Sequence, residues 1–245
     1  MQNTQIIILA AGHGKRMQSE TPKALTLLHG KPFIKHLLDS VKESGVCFNP
    51  IIVIGQKGDM VRDVLGDGYI YAIQKDQLGT GHAVMSAENE AKGADIVLVL
   101  YADHPLITAS TIKNLITSHV KSNSILTMAT ATVADFNDWR EAFLNFGRFI
   151  RDENNNILKI VEVKDATEEE KKIKEVNPAY MCFDANWMWN HLHLLKNNNN
   201  QNEYYLTDLV GMAFDEHEKI ESISIDPKEA LGVNTKEQLE QIHKI

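Results

Sequence analysis

Ile6-Ile7-Ile8-Leu9-Ala10-Ala11-Gly12-His13-Gly14-Lys15-Arg16-Met17, with Pro22-Lys23 close behind, is the stretch on which the fold turns. Four large aliphatic residues in a row, 6–9, read as a short strand buried on both faces, the pattern of a parallel sheet covered by helices. The strand empties into two alanines, then Gly12 and Gly14, then Lys15, Arg16 and Lys23. Glycines let backbone N–H groups approach a phosphate, and cations neutralise its charge. The same residues also fit an ordinary strand-to-helix turn carrying surface cations. Two common nucleotide loops are excluded. No Gly-x-x-x-x-Gly-Lys-Ser/Thr string occurs, and Met17 stands where a dinucleotide fingerprint needs its third glycine.

Outward from this strand the chain alternates. Phe33, Ile34, Leu37, Leu38 and Val41 recur at helical spacing, and Gly45 is placed to stop that helix. Runs at 51–54, 69–73 and 96–100 read as further strands. Segments at 59–65, from about Thr80, and at 112–120 read as helices. Such alternation indicates an α/β fold: a Rossmann-like, mostly parallel mixed sheet with helices on both faces. The rhythm changes after about Val133. Residues 149–151 and 157–163 flank a polar turn at 152–156, which predicts a hairpin. A strand at 181–183, a helix through Trp187, Met188, Leu192 and Leu195, and a strand at 220–225 follow. Asn197 to Asn202 is read as a solvated loop without chemistry. Thr235 and Gln238 have the spacing of a capping box for a last helix. With no internal repeat and no linker, 1–245 reads as one domain with an inserted hairpin region.

A net charge of −8 argues against sequence-independent nucleic-acid binding, which needs a basic face. The two cysteines, Cys47 and Cys182, show no metal-ligand spacing. No apolar run approaches the roughly 20 residues of a membrane span, and nothing resembles a signal peptide. A cytoplasmic enzyme or binding protein, with no membrane insertion, is expected.

Two further stretches carry chemistry. Gln74-Lys75-Asp76-Gln77-Leu78-Gly79-Thr80-Gly81-His82-Ala83 leaves a predicted strand and opens a predicted helix, the place where α/β sheets bind ligands. The amides of Gln74 and Gln77 offer donors and an acceptor to a base edge, and Gly79 and Gly81 would let the backbone lie against a flat ring. A glycine turn with exposed glutamines is the bland alternative. Tyr101-Ala102-Asp103-His104-Pro105-Leu106 follows the strand at 96–100. A carboxylate there faces the ligand crevice and suits a hard divalent cation, with nucleotide phosphates completing the shell. A helix N-cap role for Asp103 stays open. His104 has no identifiable partner and reads as a loop residue.

Leu9-Ala10-Ala11-Gly12-x-Gly14-x-Arg16-Met17 with Pro22-Lys23 resembles the signature of sugar-1-phosphate nucleotidyltransferases. Gln74-x-x-Gln77-Leu78-Gly79-Thr80-Gly81-His82-Ala83 and Tyr101-x-Asp103-x-Pro105-Leu106 extend the match. So do Val161-Glu162-x-Lys164-Asp165-Ala166-Thr167, Glu203-Tyr204-Tyr205-Leu206-Thr207-Asp208 and Gly232-Val233-Asn234. Six motifs in order are similar to the bacterial N-acetylglucosamine-1-phosphate uridylyltransferases, from about Ile6 to the C-terminus. The resemblance implies a nucleotide-diphospho-sugar transferase fold. Its nucleotide half would cover about 1–133 plus the C-terminal segment, and its sugar-binding half about 134–226. It implies that Leu9, Ala10, Ala11, Gly12 and Gly14 contact the uridine nucleotide, with Gln74, Gln77, Gly79 and Thr80 around the uracil and Tyr101 and Ala102 along it. Arg16 and Lys23 would hold the triphosphate and the sugar phosphate. Asp103 and Asn234 would ligate Mg²⁺. Gly147, Glu162, Asn177 and Tyr205 would contact an acetamido sugar.

The implied reaction is Mg²⁺-dependent transfer of UMP from UTP to N-acetylglucosamine 1-phosphate, by in-line attack at the α-phosphorus. The alternatives are another sugar-1-phosphate, CTP or dTTP in place of UTP, or a non-catalytic nucleotide-sugar-binding module. Lys15 replaces the family's usual threonine, and Ala102 replaces its usual glycine. Asn177-Pro178-Ala179 stands where Asn-Thr-Gly is usual, and the stretch 134–146 is longer than its counterpart. No hexapeptide repeats follow, so no acetyltransferase activity is expected.

Overall fold

A computed structural model describes residues 2–12 and 21–244. Gly14, Lys15 and Arg16 lie outside the described residues. The elements begin with β1 (Thr4–Leu9), the short paired strands β2 (Leu27–Leu28) and β3 (Lys31–Pro32), and α1 (Phe33–Ser44). They continue with β4 (Ile51–Ile54), α2 (Gly58–Leu65), β5 (Ile70–Ile73), α3 (Thr80–Met85), β6 (Ile96–Tyr101), α4 (Ala109–Ser122) and β7 (Leu126–Thr132). A 3₁₀ stretch (Asp138–Asn145) precedes β8 (Gly147–Arg151), β9 (Ile157–Val161), β10 (Glu175–Asn177) and β11 (Met181–Asp184). The chain closes with α5 (Ala185–Leu192), α6 (Asp208–Asp215), β12 (Ile220–Ser224) and α7 (Lys236–Ile242).

The larger sheet runs β5-β4-β1-β6-β11-β7-β10-β8-β9, with β12 added beside β7. β5, β4, β1 and β6 are parallel. β11 enters antiparallel between β6 and β7, and the hairpin of β8 and β9 hangs from β10. The continuous aliphatic runs make sense here because each strand is covered twice. Ile6, Ile8, Ile52, Leu98 and Leu100 pack with Phe33 and Leu37 of α1 and Leu115 of α4. The alternate residues Ile7, Val53, Val97 and Val99 pack with Val84 of α3, Met188 of α5 and Leu209 of α6. Strand period two thus sorts one apolar run onto two helical layers. Gly45, at φ 68°, closes α1 in the left-handed conformation that glycine adopts without strain.

Several elements escape sequence pattern, the two-residue strands β2 and β3 among them. β7 is Leu126-Thr127-Met128-Ala129-Thr130-Ala131-Thr132, whose alanines and threonines are too small to register as an apolar run. It is buried because it is paired on both edges, by β11 then β10 on one side and by β12 on the other. β10 is only three residues long, and α6 is apolar all round, so neither shows a period.

Beneath the sheet, α4 buries His119, whose Nδ1 lies 3.1 Å from Thr127 Oγ1. Burial lowers its pKa to about 4, against a partial offset from Asp184. Because the folded value lies below the unfolded one, protons favour the unfolded chain. Stability is therefore expected to be full above about pH 7 and to fall by up to about 3 kcal/mol toward pH 4. His119→Gln should flatten that slope in urea titrations between pH 7.5 and 5. An unchanged slope would remove the attribution to His119.

Candidate active site

The carboxyl ends of the parallel strands are level: Leu9 is in register with Val53 and Tyr101, and Ile54 with Ile73. The ladder continues into the loops, with Ala102 N donating to Leu9 O at 3.0 Å and Gln74 N to Ile54 O at 2.9 Å. These bonds hold the three loops side by side over the sheet edge. They enclose a cleft of about 750 Å³, open solvent at its mouth included. Leu9, Ala10, Ala11 and Gly12 form one wall, Gln74, Gln77, Gly79 and Thr80 a second, and Tyr101, Ala102 and Asp103 the third. Lys23 stands at the end of the cleft. Every described residue expected around the nucleotide therefore meets in one place. Glu203, for which the sequence pattern implies no role, also lines it.

Within the cleft the polar groups are already engaged. Gln74 is buried, and its Nε2 donates to Gly79 O at 3.1 Å and lies 3.1 Å from His82 Nδ1. Its carbonyl oxygen is what remains to offer a ligand. Gln77 Nε2 donates to Ala11 O, tying the second loop to the first. Burial pushes the Tyr101 hydroxyl up, reinforced by the Glu162 and Asp103 carboxylates, so it stays protonated.

The chain's own packing also requires these glycines. A Cβ at Gly79 would come within 2.6 Å of Tyr204 O, and one at Gly81 within 2.6 Å of Leu195 Cδ1. Gly79 also has φ 106°, which side chains resist. The side on which a Cβ would stand is occupied by the chain's own 195–204 segment, paired through Tyr204 N to Leu78 O at 2.7 Å and Gly81 N to Tyr204 O at 2.8 Å.

At the end of the cleft, the Lys23 ammonium donates to Asp103 Oδ2 and, at 2.6 Å, to Asn234 Oδ1. Asn234 arrives from the far C-terminal segment, fixed by Val233 N to Asp103 O at 3.2 Å and by Asn234 N to Gln238 Oε1 at 2.6 Å. The last of these belongs to the capped start of α7, where Thr235 and Gln238 form the expected box. Burial raises the Asp103 carboxyl, but Lys23 and His104 outweigh it, and the net pKa lies below the usual value. Asp103 is thus ionised at neutral pH. It is not a helix cap: α4 starts later and is capped by Thr108.

The residues expected around a sugar form a second group. Gly147 of β8 is in register with Asn177 of β10, and a Cβ on Gly147 would lie 3.6 Å from Glu162 Oε1. Glu162 accepts from Thr207 Oγ1 at 3.0 Å, and burial raises its pKa. A second, shallower cavity is lined by Glu162, Asp165, Tyr205 and Asp208, together with Asn198 and Asn199 from the loop read as solvated. Tyr205 Oη accepts from Gln201 Nε2 at 2.8 Å, and burial lifts its pKa to about 12. Glu203 on the first cavity and Tyr205 on the second are two residues apart, so this run joins the two groups.

Asn177 is turned onto its own backbone: its Oδ1 accepts from Ala179 N at 2.8 Å across Pro178. Ala179 sits at φ 65°, in the left-handed region where a Cβ is strained. Ala179→Gly is accordingly expected to stabilise the protein by about 0.5–1 kcal/mol, read by urea unfolding. A loss of stability would contradict the strained turn.

The cleft lies at the carboxyl ends of the parallel strands, where open α/β sheets bind ligands, and it ends in a cation shared by two hard oxygens. The model of the MobA-like NTP transferase domain matches residues 6–187, and the chain belongs to that family. The bifunctional protein GlmU of Thermoanaerobacter pseudethanolicus is 42% identical over 245 residues, covering 100% of this chain and 52% of the relative. The bifunctional protein GlmU of Clostridium acetobutylicum is 43% identical over 241 residues, covering 98% and 51%. The chain spans about half the length of these curated relatives. The crystal structure of UDP-glucose pyrophosphorylase complexed with UDP-glucose shares the fold, with a TM-score of 0.77 at 18% identity over 100% of this chain and 98% of that one. Among the described residues no helix is long and apolar enough to cross a membrane.

Proposed function

We propose that the chain is a Mg²⁺-dependent sugar-1-phosphate uridylyltransferase that joins UMP from UTP to N-acetylglucosamine 1-phosphate and releases pyrophosphate. The observation that carries this reading is the meeting of Lys23, Asp103 and Asn234 at the end of the cleft. Two oxygens, one ionised and one a neutral amide carbonyl, converge on a single cationic point. That donor set suits a hard divalent cation, whose remaining ligands come from phosphate and water. Mg²⁺ bound by Asp103 and Asn234 would supply charge neutralisation on the triphosphate.

Lys23 then has a second role. Freed from the two oxygens, its ammonium can hold the phosphates beside Gly12, which lines the same cleft. The attacking group is a phosphate oxygen of the sugar phosphate, already ionised near neutral pH. No protein base is required, and catalysis rests on alignment and charge. On the base, Gln74 spends its amide N–H on Gly79 O and keeps a carbonyl oxygen. An acceptor suits the imide N3–H of uracil or thymine and opposes the bare N3 of cytosine, which favours UTP or dTTP over CTP. The nucleotide half would comprise about 1–133 with the C-terminal segment. The sugar half, about 134–226, would use Gly147, Glu162, Asn177 and Tyr205.

The likeness to proteins named GlmU over the whole chain supports the acetamido sugar. Pro178 and Ala179 favour a second reading, the same transfer to a different sugar-1-phosphate. Pyrophosphate release across a matrix of nucleoside triphosphates and sugar-1-phosphates tests both. Highest kcat/KM for UTP with N-acetylglucosamine 1-phosphate is expected. A different best sugar selects the second reading, and no release with any pair leaves only a binding module.

A further inference from the structure

Behind the cluster of Lys23, Asp103 and Asn234 lies a histidine to which the reaction above gives no part. His104 follows Asp103 directly and is buried. We propose that His104 is a positioning residue whose ring sets the separation of the Asp103 and Asn234 oxygens, an inference that rests on reading those two as the cation ligands.

The ring is clamped first through Nδ1. It lies 2.9 Å from Tyr180 Oη, and that hydroxyl donates its one hydrogen to Glu229 O at 2.7 Å. Glu229 O can only accept, so Tyr180 must receive from the ring, and His104 Nδ1 carries the proton. Phe146 stacks on the ring at 6.0 Å with a 29° tilt, Tyr101 lies at 5.8 Å, and Tyr180 meets it edge-on at 5.4 Å. Tyr180 and Glu229 come from different segments, so the ring is pinned from the sheet and from the C-terminal run together.

The opposite edge of the ring faces the cation ligands. Nε2 is 3.8 Å from Asp103 Oδ1. At that distance the ring makes no hydrogen bond to that oxygen, which stays available as a ligand. The same edge is pressed by Gly232: a Cβ built there would lie 2.4 Å from His104 Nε2 and 2.8 Å from Cδ2. Gly232 is two residues before Asn234. One ring edge is therefore the common wall of Asp103 and of the segment that carries Asn234. Removing the ring, or thickening the wall with a methyl at 232, shifts one oxygen relative to the other.

The test is Mn²⁺ binding to the whole chain without nucleotide, followed by electron paramagnetic resonance of free Mn²⁺, with Tm measured alongside. His104→Ala and Gly232→Ala are each expected to weaken Mn²⁺ about tenfold, the usual cost of losing an outer-shell support. The double variant should lose less than the product of the two, because the added methyl collides only with a ring that is present. Tyr180→Phe, the mildest change, should weaken Mn²⁺ in the same direction while staying folded. Wild-type affinity in both His104→Ala and Tyr180→Phe, with Asp103→Ala losing Mn²⁺, would overturn the positioning role and leave it as core packing. Wild-type affinity in Asp103→Ala would overturn the cation reading itself, and this inference with it.

Discussion

Lys23→Ala is expected to lower kcat by about 10²- to 10³-fold, the usual cost of removing one preorganised charge from a transition state that spreads negative charge. The side chain is well placed for this, being 11% exposed and aimed at the end of the cleft between Asp103 and Asn234. An effect confined to KM would mean that Lys23 binds substrate and transition state equally. The same variant makes a second, opposite prediction that separates the lysine from the proposed cation ligands, Asp103 and Asn234. With no nucleotide present, the ammonium occupies the point on which the two oxygens converge and so competes with a divalent cation. Lys23→Ala should therefore bind Mn²⁺ more tightly than the wild type while turning over more slowly. Weaker Mn²⁺ binding in the variant would show that the lysine supports the cation site instead of holding its place. Steady-state pyrophosphate release and a Mn²⁺ titration together decide the matter.

Arg148→Ala should cost on the order of 4 kcal/mol of stability, because it strips the partner from several buried carbonyls at once. Arg148 is fully buried in β8 next to Gly147, and no carboxylate among the described residues pairs with it. Its guanidinium donates to backbone oxygens instead: Phe143 O at 3.1 Å, Phe146 O, Lys171 O at 3.3 Å and, at the long limit, Leu144 O at 3.4 Å. Phe136 covers it, with Cζ 5.0 Å from the ring centre. The stretch 134–146, longer than expected from its resemblance, is thus wrapped around one cation. Arg148→Met keeps most of the stem and loses every bond. It should be nearly as damaging as alanine if hydrogen bonding dominates. Urea unfolding measures both, and a methionine variant within about 1 kcal/mol of wild type would assign the effect to packing alone. Since Phe146 carries this stretch onto His104, the loss is also expected to loosen the cation pair.

The first strand, the first long helix and the last helix were legible because each obeys a local rule. An unbroken aliphatic run needs two covered faces, Gly45 needs a left-handed stop, and Thr235 with Gln238 caps a helix within one turn. The cleft was legible for a related reason. Leu9 to Gly12, Gln74 to Thr80 and Tyr101 to Asp103 each follow a strand directly, and parallel strands bring their carboxyl ends together whatever the intervening distance. The sequence alone therefore determined the sheet's parallel half and the three loops that wall the cleft, though not Glu203, which also lines it.

Only the tertiary structure decided the rest, where the cause lies in pairing across long separations. β7 is a strand because β11, β10 and β12 claim its edges, and its alanines and threonines announce nothing locally. Gly79 and Gly81 are glycines because Tyr204 and Leu195 fill the space beside them. His104 gained its partners from Tyr180, Phe146 and Gly232, and Arg148 its satisfaction from carbonyls that no side-chain pattern records. A motif can name the groups that a ligand meets. The distances between them are set by buried side chains such as these, whose partners are backbone atoms and neighbouring faces brought close only when the chain has folded.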